Sequence, residues 1–341
     1  MQQAKPFLWD RYKELEALGE GGMGKVVKAQ DLGLEREVAI KRLRAEVGDP
    51  ENAQRFLQEA KATGQLEHPN IPPVYEFGKD EEGRPYFALK LVRGRSLQQL
   101  IEGLRNGDAD LHEEFSFTLR LQIFQKVCEA VAYAHERGII HRDIKPDNVM
   151  VGELGEVFLM DWGLAKDQQA APANATQAGM FMGTPMYAAP EQISGEQASP
   201  LWDVYGLGAT LYEWLSLKPP HAGKSVREIL TAVLTKKPTD PVFHFHPVQG
   251  RIPAEMSRLV MKAMHKETQK RFPSVRALLE EVQNILNGEI QAVCPCTAVK
   301  SSFHGVSRVL DRYPLVVVLV IGWLLYPLLA LLLALYRHFT V

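Results

Sequence analysis

Apolar residues near the start of the chain occur in short β-branched stretches. Val26–Val27 and Val38–Ile40 are two such stretches within residues 11–47, and they predict neighbouring β-strands. Residues Glu51–Leu66 change to a helical spacing of apolar positions, and Phe87–Val92 returns to a strand-like run. This part of the chain is therefore predicted to form a small antiparallel sheet with one helix.

The pattern becomes mainly helical further along the chain. Phe117–Glu136 has the apolar spacing of an amphipathic helix, and a strand-and-loop region runs from Ile139 to about Pro190. A small β-rich lobe followed by a larger helical lobe predicts an α+β fold with a ligand-binding cleft between the lobes. The later helical patterns are Leu201–Leu217, Val226–Leu234, Met256–His265 and Val275–Leu286.

The last apolar run has a different character. Residues 314–336 carry no charged side chain and consist mostly of Leu, Val and Ala. As a helix they would span roughly 35 Å, which is enough for a hydrocarbon core of about 30 Å. We expect one transmembrane segment here, preceded by a linker over 287–313 and followed by a short tail over 337–341, with no outer domain.

Two aromatic residues leave an alternative for this run. Trp323 and Tyr326 lie in its middle, although such rings prefer the membrane interface, and Pro327 follows them. A re-entrant hairpin that returns both ends to the same side is therefore the second interpretation.

Composition narrows the class of protein. The chain has 341 residues, of which 46% are hydrophobic and 23% charged, as in globular proteins. Its net charge of −2 gives no electrostatic reason to expect nucleic-acid binding. Three cysteines do not form a disulfide framework, and Met1–Asp10 lacks the apolar stretch of a signal peptide.

A glycine motif is the first sign of chemistry. Gly19, Gly21 and Gly24 form G-x-G-x-x-G, and glycines let backbone N–H groups approach phosphates closely. Alone, the motif also fits a dinucleotide site or a flexible turn. A dinucleotide site needs a helix directly afterwards, whereas Lys25–Lys28 continues as a strand, which favours a hairpin loop over phosphates.

A lysine and a glutamate follow on the next predicted strand and helix. Lys41 ends the stretch Val-Ala-Ile-Lys and presents a fixed cation for anionic oxygens. A lone lysine is more often a surface residue, but the glycine motif upstream favours anion binding. We expect Glu59 to pair with Lys41, ahead of Glu51 and Glu67, because it lies in the middle of the helix beside apolar residues.

The segment His141–Asn148 places a carboxylate, a cation and an amide in one short loop. Aliphatic stretches on both sides predict two short strands that anchor it. Asp143 suits the role of proton acceptor, Lys145 can neutralise phosphate charge, and Asn148 can coordinate a metal. The alternative is a polar turn between strands.

A second carboxylate motif follows the predicted strand Val157–Met160. Asp161–Gly163 offers a carboxylate at a strand end, which suits Mg²⁺, and a glycine that permits a sharp turn. Ala189–Glu191 and Asp203 are expected to be structural anchors. Arg271 is the candidate ion-pair partner of the glutamate in the first of these anchors.

Together these motifs resemble the eukaryotic-like (Hanks-type) protein kinases, in particular their bacterial serine/threonine branch. The resemblance covers residues 12–286 and implies a bilobal fold, with an N-lobe over 12–92 and a C-lobe over 93–286. The motifs that carry it, in order, are the glycine loop, Val38–Lys41, Glu59, His141–Asn148, Asp161–Gly163, Ala189–Glu191, Asp203 and Arg271.

The resemblance implies roles for the catalytic residues. Asp143 would be the catalytic base, and Lys145 would act beside it. Lys41 would contact the α- and β-phosphates of ATP and pair with Glu59.

The resemblance also implies the cofactors, ATP and Mg²⁺, with Mn²⁺ as an alternative metal. Asn148 and Asp161 would be the metal ligands. Leu89 would be the gatekeeper of the adenine pocket. The implied ATP-binding residues are Leu18, Gly19, Glu20, Gly21, Gly22, Met23, Gly24, Lys25, Val26, Ala39, Lys41, Leu89, Lys90 and Val92.

Substrate and regulation are implied in the same way. Lys145 and the Gly183–Pro185 stretch resemble the serine/threonine pattern, in which Thr184 orients the catalytic groups through its hydroxyl. Arg142 would bind a phosphorylated activation loop, and Thr176 is the predicted phosphosite.

Three positions depart from the pattern of the kinases. Trp162 replaces the usual phenylalanine, Thr63 replaces a larger aliphatic residue, and Lys90 stands where an acidic residue is common. None of these changes removes a group that the chemistry needs.

The main hypothesis is a kinase that phosphorylates proteins, including itself, and sits as a single-pass protein in the cell (inner) membrane with its kinase domain in the cytoplasm. A membrane-anchored pseudokinase scaffold is the alternative, but Lys41, Asp143 and Asp161 are all present. A small-molecule phosphotransferase would lack the segment Gly183–Glu191. Contact with membrane lipid follows from the anchor, and homodimerisation is a hypothesis only.

Overall fold

The chain is described by a computed structural model over residues 11–20, 24–45, 50–162, 166–167 and 184–289. Within these ranges no helix is both long and apolar enough to cross a membrane. Several predicted features lie outside the described residues: Gly21–Met23, Gly163, Thr176, Gly183, most of the 287–313 linker and the apolar run 314–336.

A five-stranded antiparallel sheet forms the N-lobe. Its strands are β1 Tyr12–Glu20, β2 Gly24–Asp31, β3 Arg36–Leu43, β4 Val74–Lys79 and β5 Pro85–Lys90. Their order is β1-β2-β3-β5-β4, so β3 lies at the centre. Helix α1, Pro50–Gly64, packs against this sheet and confirms the predicted sheet with one helix.

Each face of the sheet carries a buried apolar cluster. Two clusters are possible because alternate residues of each strand point to opposite sides. One face holds the buried cluster Tyr12, Val27, Ala29, Val38, Ile40, Tyr86 and Ala88. The other face packs against α1 through Ala39, Leu43, Phe56, Ala60, Phe87 and Leu89. The face of α1 that the sequence predicted to be apolar is therefore the buried face.

The C-lobe is helical. Its central helix is buried along almost its whole length and packs mainly against two other helices, Phe117–Glu136 and Ala254–Ala263. The helices are α2 Leu97–Arg105, α3 Ala109–Glu114, α4 Phe117–Glu136, α5 Pro190–Ile193, α6 Pro200–Ser216, α7 Val226–Thr235, α8 Ala254–Ala263 and α9 Val275–Leu286, of which α6 is the central one.

Side-chain caps fix where these helices begin. Ser96, Ser116, Ser199 and Ser225 each accept a hydrogen bond from a backbone N–H of the first turn. At its other end α6 stops at Leu217, whose φ of 58° is left-handed. The predicted bounds of the later helices lie within two residues of the observed ones, whereas α2, α3 and α5 were not predicted.

Short strands surround the loop His141–Asn148, which we call the predicted catalytic loop. β7 Ile139–Ile140 precedes it and β8 Val149–Gly152 follows it, which confirms the two predicted anchoring strands. β8 pairs with β6 Gly94–Ser96 and β9 Val157–Leu159, and β7 pairs with β10 Lys166–Asp167. A further pair lies between α7 and α8: β11 Phe245–His246 and β12 Gly250–Arg251.

Candidate active site

Three charged residues from three elements meet in the cleft. Lys41 of β3 places its Nζ 2.5 Å from Oε1 of Glu59 on α1 and 3.1 Å from Oδ1 of Asp161, which follows β9. The predicted pairing of Lys41 with Glu59 is confirmed, and the third partner joins the N-lobe to the C-lobe. Glu59 is almost fully buried, while Asp161 keeps 44% of its side chain exposed.

Burial and charge act against each other in this cluster. Burial lowers the pKa of Lys41, but Asp161 and Glu59 outweigh it and hold that pKa above its usual range. Burial raises the pKa of Glu59 to about 7 against the opposing effect of the Lys41 charge, and the nearby charge of Asp161 adds to the rise. The second carboxylate oxygen, Oε2, is buried without a hydrogen-bond partner among the described residues.

Asp161 stays ionised for a related reason. Burial raises its pKa, but the nearby charge of Lys41 outweighs this and brings the pKa below its usual range. The charges of His141 and Lys145 lower it further. At neutral pH the cleft therefore holds a partly exposed carboxylate among cations, which can bind a divalent metal ion.

The predicted loop residues converge on Asp143. Lys145 donates a hydrogen bond from Nζ to Oδ2 of Asp143 at 2.8 Å. Asn148 donates from Nδ2 to the backbone carbonyl of Asp143 at 2.8 Å, which fixes its amide and leaves the amide oxygen for another ligand. The sequence thus brings carboxylate, cation and amide together through one short 3₁₀ turn, Pro146–Asn148.

A carboxylate from the C-lobe holds the backbone of this loop. Asp203, at the start of α6, accepts hydrogen bonds from the backbone N–H groups of His141 and Arg142, both at 2.8 Å. It also accepts one from Nε2 of His135 at 2.7 Å. Arg142 has a φ of 69°, which is unfavourable for a residue with a Cβ, and Asp203 stabilises that conformation.

Asp161 is a second residue of the site with a left-handed backbone conformation. Its φ is 59°, and it is followed by Trp162, which is fully buried. The indole Nε1 of Trp162 donates to the carbonyl of Leu159 at 3.2 Å, and its ring lies 4.6 Å from the ring of His141. The bond to Leu159 satisfies the indole N–H, so the tryptophan fits this buried site. His141 is held separately by a hydrogen bond of 3.0 Å with the carbonyl of Met160.

An apolar cluster lies where the adenine of ATP is expected. Ala39 and Leu89 are paired across β3 and β5, and Val26 packs against the buried cluster to which they belong. Leu91 and Met160 complete the cluster from the segment after β5 and from the C-lobe side. These side chains form an apolar surface beside the charged residues, which suits a planar base joined to phosphates.

The glycine motif meets the strand that carries Lys41. A Cβ at Gly24 would lie 3.2 Å from the carbonyl oxygen of Arg42 and 3.3 Å from the side chain of Lys41. A Cβ at Gly19 would meet nothing within 4 Å. Glycine at position 24 therefore keeps the backbone of β2 close to Lys41, and the open space at Gly19 leaves room for a ligand.

The donor set fits a nucleotide with a divalent metal ion. Asn148 and Asp161 offer only oxygen ligands, which Mg²⁺ prefers. Elsewhere in the described part of the chain, no group of three or more His, Cys, Asp and Glu side chains is placed to hold a metal. Two protein ligands suit a metal that is otherwise bound by phosphate oxygens and water.

The predicted substrate segment is Gly183–Glu191. Its described residues, 184–191, lie beside the predicted catalytic loop. Thr184 lines the same small cavity as Asp143, together with Tyr187 and Gln192. In the described structure no hydrogen bond joins the Thr184 hydroxyl to Asp143 or Lys145. The segment is held instead by Gln192, whose Nε2 donates to the carbonyl of Arg142 at 3.0 Å.

A buried network that the sequence did not reveal fixes Tyr187. Its hydroxyl donates to Oε2 of Glu213 on α6 at 2.6 Å, and Arg105 of α2 donates to the other carboxylate oxygen at 2.9 Å. His135 and Gln192 were missed in the same way. Only contacts between residues far apart in the chain identify these partners, so no local signal in the sequence could have found them.

The expected anchors are present. Arg271 forms two parallel hydrogen bonds with the carboxylate of Glu191, at 2.6 and 2.8 Å, and both side chains are buried. This confirms the predicted ion pair, which ties the substrate segment to the end of the C-lobe.

Comparison with known proteins agrees with this geometry. The sequence profile of the protein kinase domain matches residues 12–282. The serine/threonine-protein kinase PknD of Protochlamydia amoebophila is 33% identical over 309 residues, which cover 85% of this chain and 31% of the relative. PknD of Chlamydia felis is 35% identical over 297 residues, covering 82% and 31%.

PknD of Chlamydia trachomatis serovar D is likewise 35% identical, over 303 residues that cover 82% of this chain and 32% of the relative. The chain thus spans about a third of the length of these relatives. The profile covers most of the chain, and three of the motif residues, Lys41, Glu59 and Asp161, meet in one cleft. This chain therefore belongs to the protein kinase domain family.

Proposed function

We propose that this chain is an ATP-dependent serine/threonine protein kinase. The observation that carries the proposal is the cluster of Lys41, Glu59 and Asp161 across the cleft from the loop that presents Asp143. A pseudokinase scaffold is not favoured, because every charged group that phosphoryl transfer needs is present and correctly paired.

Asp143 accepts the proton of the substrate hydroxyl, and Lys145 neutralises charge on the transferred phosphoryl group. The 2.8 Å contact between them supports this division of roles, since it orients the Asp143 carboxylate. Asp203 acts as a positioning residue through the loop backbone.

ATP would supply the γ-phosphoryl group, and Mg²⁺, or Mn²⁺ in its place, would offset the phosphate charge. Lys41 binds the α- and β-phosphates, with Glu59 holding it in place. Asn148 and Asp161 are the metal ligands. The adenine lies among Val26, Ala39 and the Leu89–Val92 segment, and the rest of the nucleotide site is formed by Leu18, Gly19, Glu20, Gly21, Gly22, Met23, Gly24 and Lys25.

The proposed acceptors are serine and threonine in proteins. Lys145 in the catalytic loop, Thr184 in the substrate segment and the names of the relatives support this choice. The chain itself is one substrate, with Thr176 as the phosphosite. Nε of Arg142 is buried without a hydrogen-bond partner among the described residues, which supports its role as the cation that binds the phosphate.

We also propose the domain plan and location expected from the sequence. The kinase domain covers residues 12–286, the linker 287–313 leads to a membrane segment over 314–336, and residues 337–341 follow. The kinase domain faces the cytoplasm at the cell (inner) membrane, in contact with lipid through that segment. The 23-residue uncharged run supports this location, and homodimerisation through it remains a hypothesis.

Phosphosite mapping tests the catalytic proposal. The full chain in detergent would be incubated with Mg-ATP and an unphosphorylated protein mixture, next to Asp143→Asn. We expect phosphate on serine and threonine, including Thr176, only with the unchanged chain. Equal phosphate on both proteins would refute the role of Asp143, and ATP binding without transfer by the unchanged chain would restore the scaffold alternative.

A further inference from the structure

The segment between α7 and α8 has an inverted burial pattern. Residues 243–246 read Phe-His-Phe-His. Phe243 ends a 3₁₀ turn, Pro241–Phe243, and the residues after it are extended, so that their neighbouring side chains point to opposite sides. A soluble protein would be expected to turn the phenylalanines inward. Here Phe243 is 74% and Phe245 is 64% exposed, whereas His244 and His246 turn towards the protein. We call residues 241–251 the hairpin.

The inward histidines have defined partners in the C-lobe. His244 forms a hydrogen bond of 2.9 Å between its Nε2 and the hydroxyl of Tyr212 on α6. His246 stacks on His112 of α3 with the ring centroids 5.0 Å apart. The polar face of the hairpin is therefore attached by specific contacts, and these contacts direct the phenylalanines outward.

Both ends of the hairpin are attached as well. The N–H of Val242 donates to Asp240 at 3.1 Å and to Ser257 of α8 at 2.9 Å. At the far end, Gln249 donates from Nε2 to the carbonyl of Leu215 and accepts from Arg120, at 2.9 and 2.8 Å. The orientation of the apolar face is thus fixed by the fold.

A third exposed apolar side chain lies close by in the sequence. Val248, in the turn between β11 and β12, is 56% exposed. Three large apolar side chains therefore project within six residues, on a backbone that is held in place. Single exposed apolar residues are ordinary, but a fixed group of them indicates a surface that meets an apolar partner.

The charged residues of the segment 236–251 have one dominant sign. Arg251 is exposed and lies opposite Phe245 in the strand register. Burial lowers the pKa values of His244 and His246, and the charge of Lys218, which is exposed, lies close enough to lower them further. Lys236 and Lys237 are exposed just before the hairpin, and the single acidic residue from 236 to 251, Asp240, serves as a cap.

We propose that the hairpin is a membrane-contact surface, with Phe243, Phe245 and Val248 entering the interfacial layer of an anionic lipid bilayer. Aromatic and aliphatic side chains flanked by Lys and Arg are the combination that binds such interfaces. A protein partner is disfavoured because the apolar group is small and is bordered by cations. The proposal goes beyond the proposed kinase activity and does not depend on whether residues 314–336 span the membrane.

A fluorescent probe on the full chain tests the proposal. An environment-sensitive dye would be attached at Phe245→Cys in a background with Cys294→Ser and Cys296→Ser. The third native cysteine, Cys128, can stay because it is fully buried and would not react with the dye. The matched control carries the dye at Leu154→Cys, because Leu154 is 90% exposed on another part of the C-lobe. Both proteins would be mixed with phosphatidylcholine vesicles, with and without phosphatidylglycerol.

We expect the emission at position 245 to shift to shorter wavelength with phosphatidylglycerol vesicles and to be quenched by nitroxide-labelled lipid, while position 154 changes little. Equal shifts at both positions would overturn the proposal. An unchanged emission wavelength at position 245 on vesicles that carry the chain would also overturn it. An emission that is already shifted without lipid would overturn it as well and would indicate a protein contact.

The cations provide a second test on the same labelled chain. Lys218→Ala together with Arg251→Ala should lower the docked fraction of the hairpin, since each cation near an anionic surface contributes about 1 kcal/mol, or roughly 30-fold for the two. An unchanged response to phosphatidylglycerol would refute the electrostatic part of the proposal. Neither test reads kinase activity, so failure of the proposed function would be seen separately.

Discussion

Glu59 is the residue whose environment most needs its charge partner. It is almost fully buried, and its Oε1 contacts Nζ of Lys41 at 2.5 Å. Its Oε2 has no hydrogen-bond partner among the described residues. Glu59→Gln should leave the fold intact but release Lys41, because a neutral amide holds an ammonium group less firmly. We expect kcat/KM to fall about 10- to 100-fold, equivalent to 1.5–3 kcal/mol for a charge-assisted hydrogen bond.

Steady-state phosphorylation of a protein substrate would measure this change. Glu67→Gln is the control, because Glu67 follows the same helix and is exposed. A loss of equal size in both variants would contradict the assignment of Glu59 as the partner of Lys41.

Asp203 is the residue on which the shape of the catalytic loop depends. Asp203→Asn keeps the size of the side chain but leaves one oxygen to serve the backbone groups of His141 and Arg142 and the imidazole of His135. We expect a loss of about 2–4 kcal/mol in unfolding free energy, because bonds to a buried charge are broken. Activity should fall with it, since the strained φ of Arg142 is no longer compensated.

Urea unfolding and kcat, measured on the same preparation, would test this prediction. Asp147→Asn changes an exposed carboxylate of the same loop and serves as the control. If Asp203→Asn unfolded at the urea concentration of the unchanged chain, the stabilising role of Asp203 would be refuted.

At the scale of elements, the Glu191–Arg271 pair joins α5 to the segment before α9. Arg271→Met would leave Glu191 buried without its partner, and breaking such a pair costs about 3–5 kcal/mol. The double variant Glu191→Gln with Arg271→Met removes both charges and should recover a large part of that loss. Thermal or urea unfolding of the single and double variants gives the coupling, and additive losses would contradict it.

The elements also show how far sequence reasoning reaches. Helix α4 was predicted with its observed bounds, because a long amphipathic pattern lies between a capping serine, Ser116, and Gly138. The pairing of Lys41 with Glu59 followed from helix position. The short helices α2 and α3 were not predicted, although Ser96 and Gln99 form a capping box that marks the start of α2.

Contacts between distant residues account for what the sequence could not reveal. The loop of His141 receives its support from Asp203, and Tyr187 is fixed by Glu213 and Arg105, all far away along the chain. The alternation of Phe and His over 243–246 would by itself predict phenylalanines facing inward. Polar partners on α3 and α6 reverse that orientation, and only tertiary structure reveals them.

At the scale of the whole molecule, stability in acid should depend on one buried histidine. His221 is 4% exposed, and its Nε2 lies 3.3 Å from the hydroxyl of Tyr205 and 3.4 Å from Nζ of Lys266. Burial, with the nearby charge of Lys266, lowers the pKa of His221 to about 4. A proton on this imidazole would add a second cation beside the lysine in a buried site.

The sign of the pH effect follows from proton counting. Between the unfolded pKa of about 6.5 and the folded pKa of about 4, the unfolded chain binds the proton of residue 221 and the folded chain does not. The contribution of the neutral His221 to the unfolding free energy is therefore complete above pH 6.5 and is lost as the pH falls towards 4. Its upper size is roughly 3 kcal/mol, at about 1.4 kcal/mol per pKa unit.

His221→Gln removes the titrating group and tests this prediction. The unfolding free energy of both proteins would be measured by urea titration from pH 7.5 to pH 4.5, and the difference between the two curves would be compared. Because other histidines titrate in both proteins, only the difference reports residue 221. We expect the variant to be less stable at pH 7.5 and to lose less stability on acidification, so the curves should converge, whereas parallel curves would show that His221 is not the group that sets the acid response.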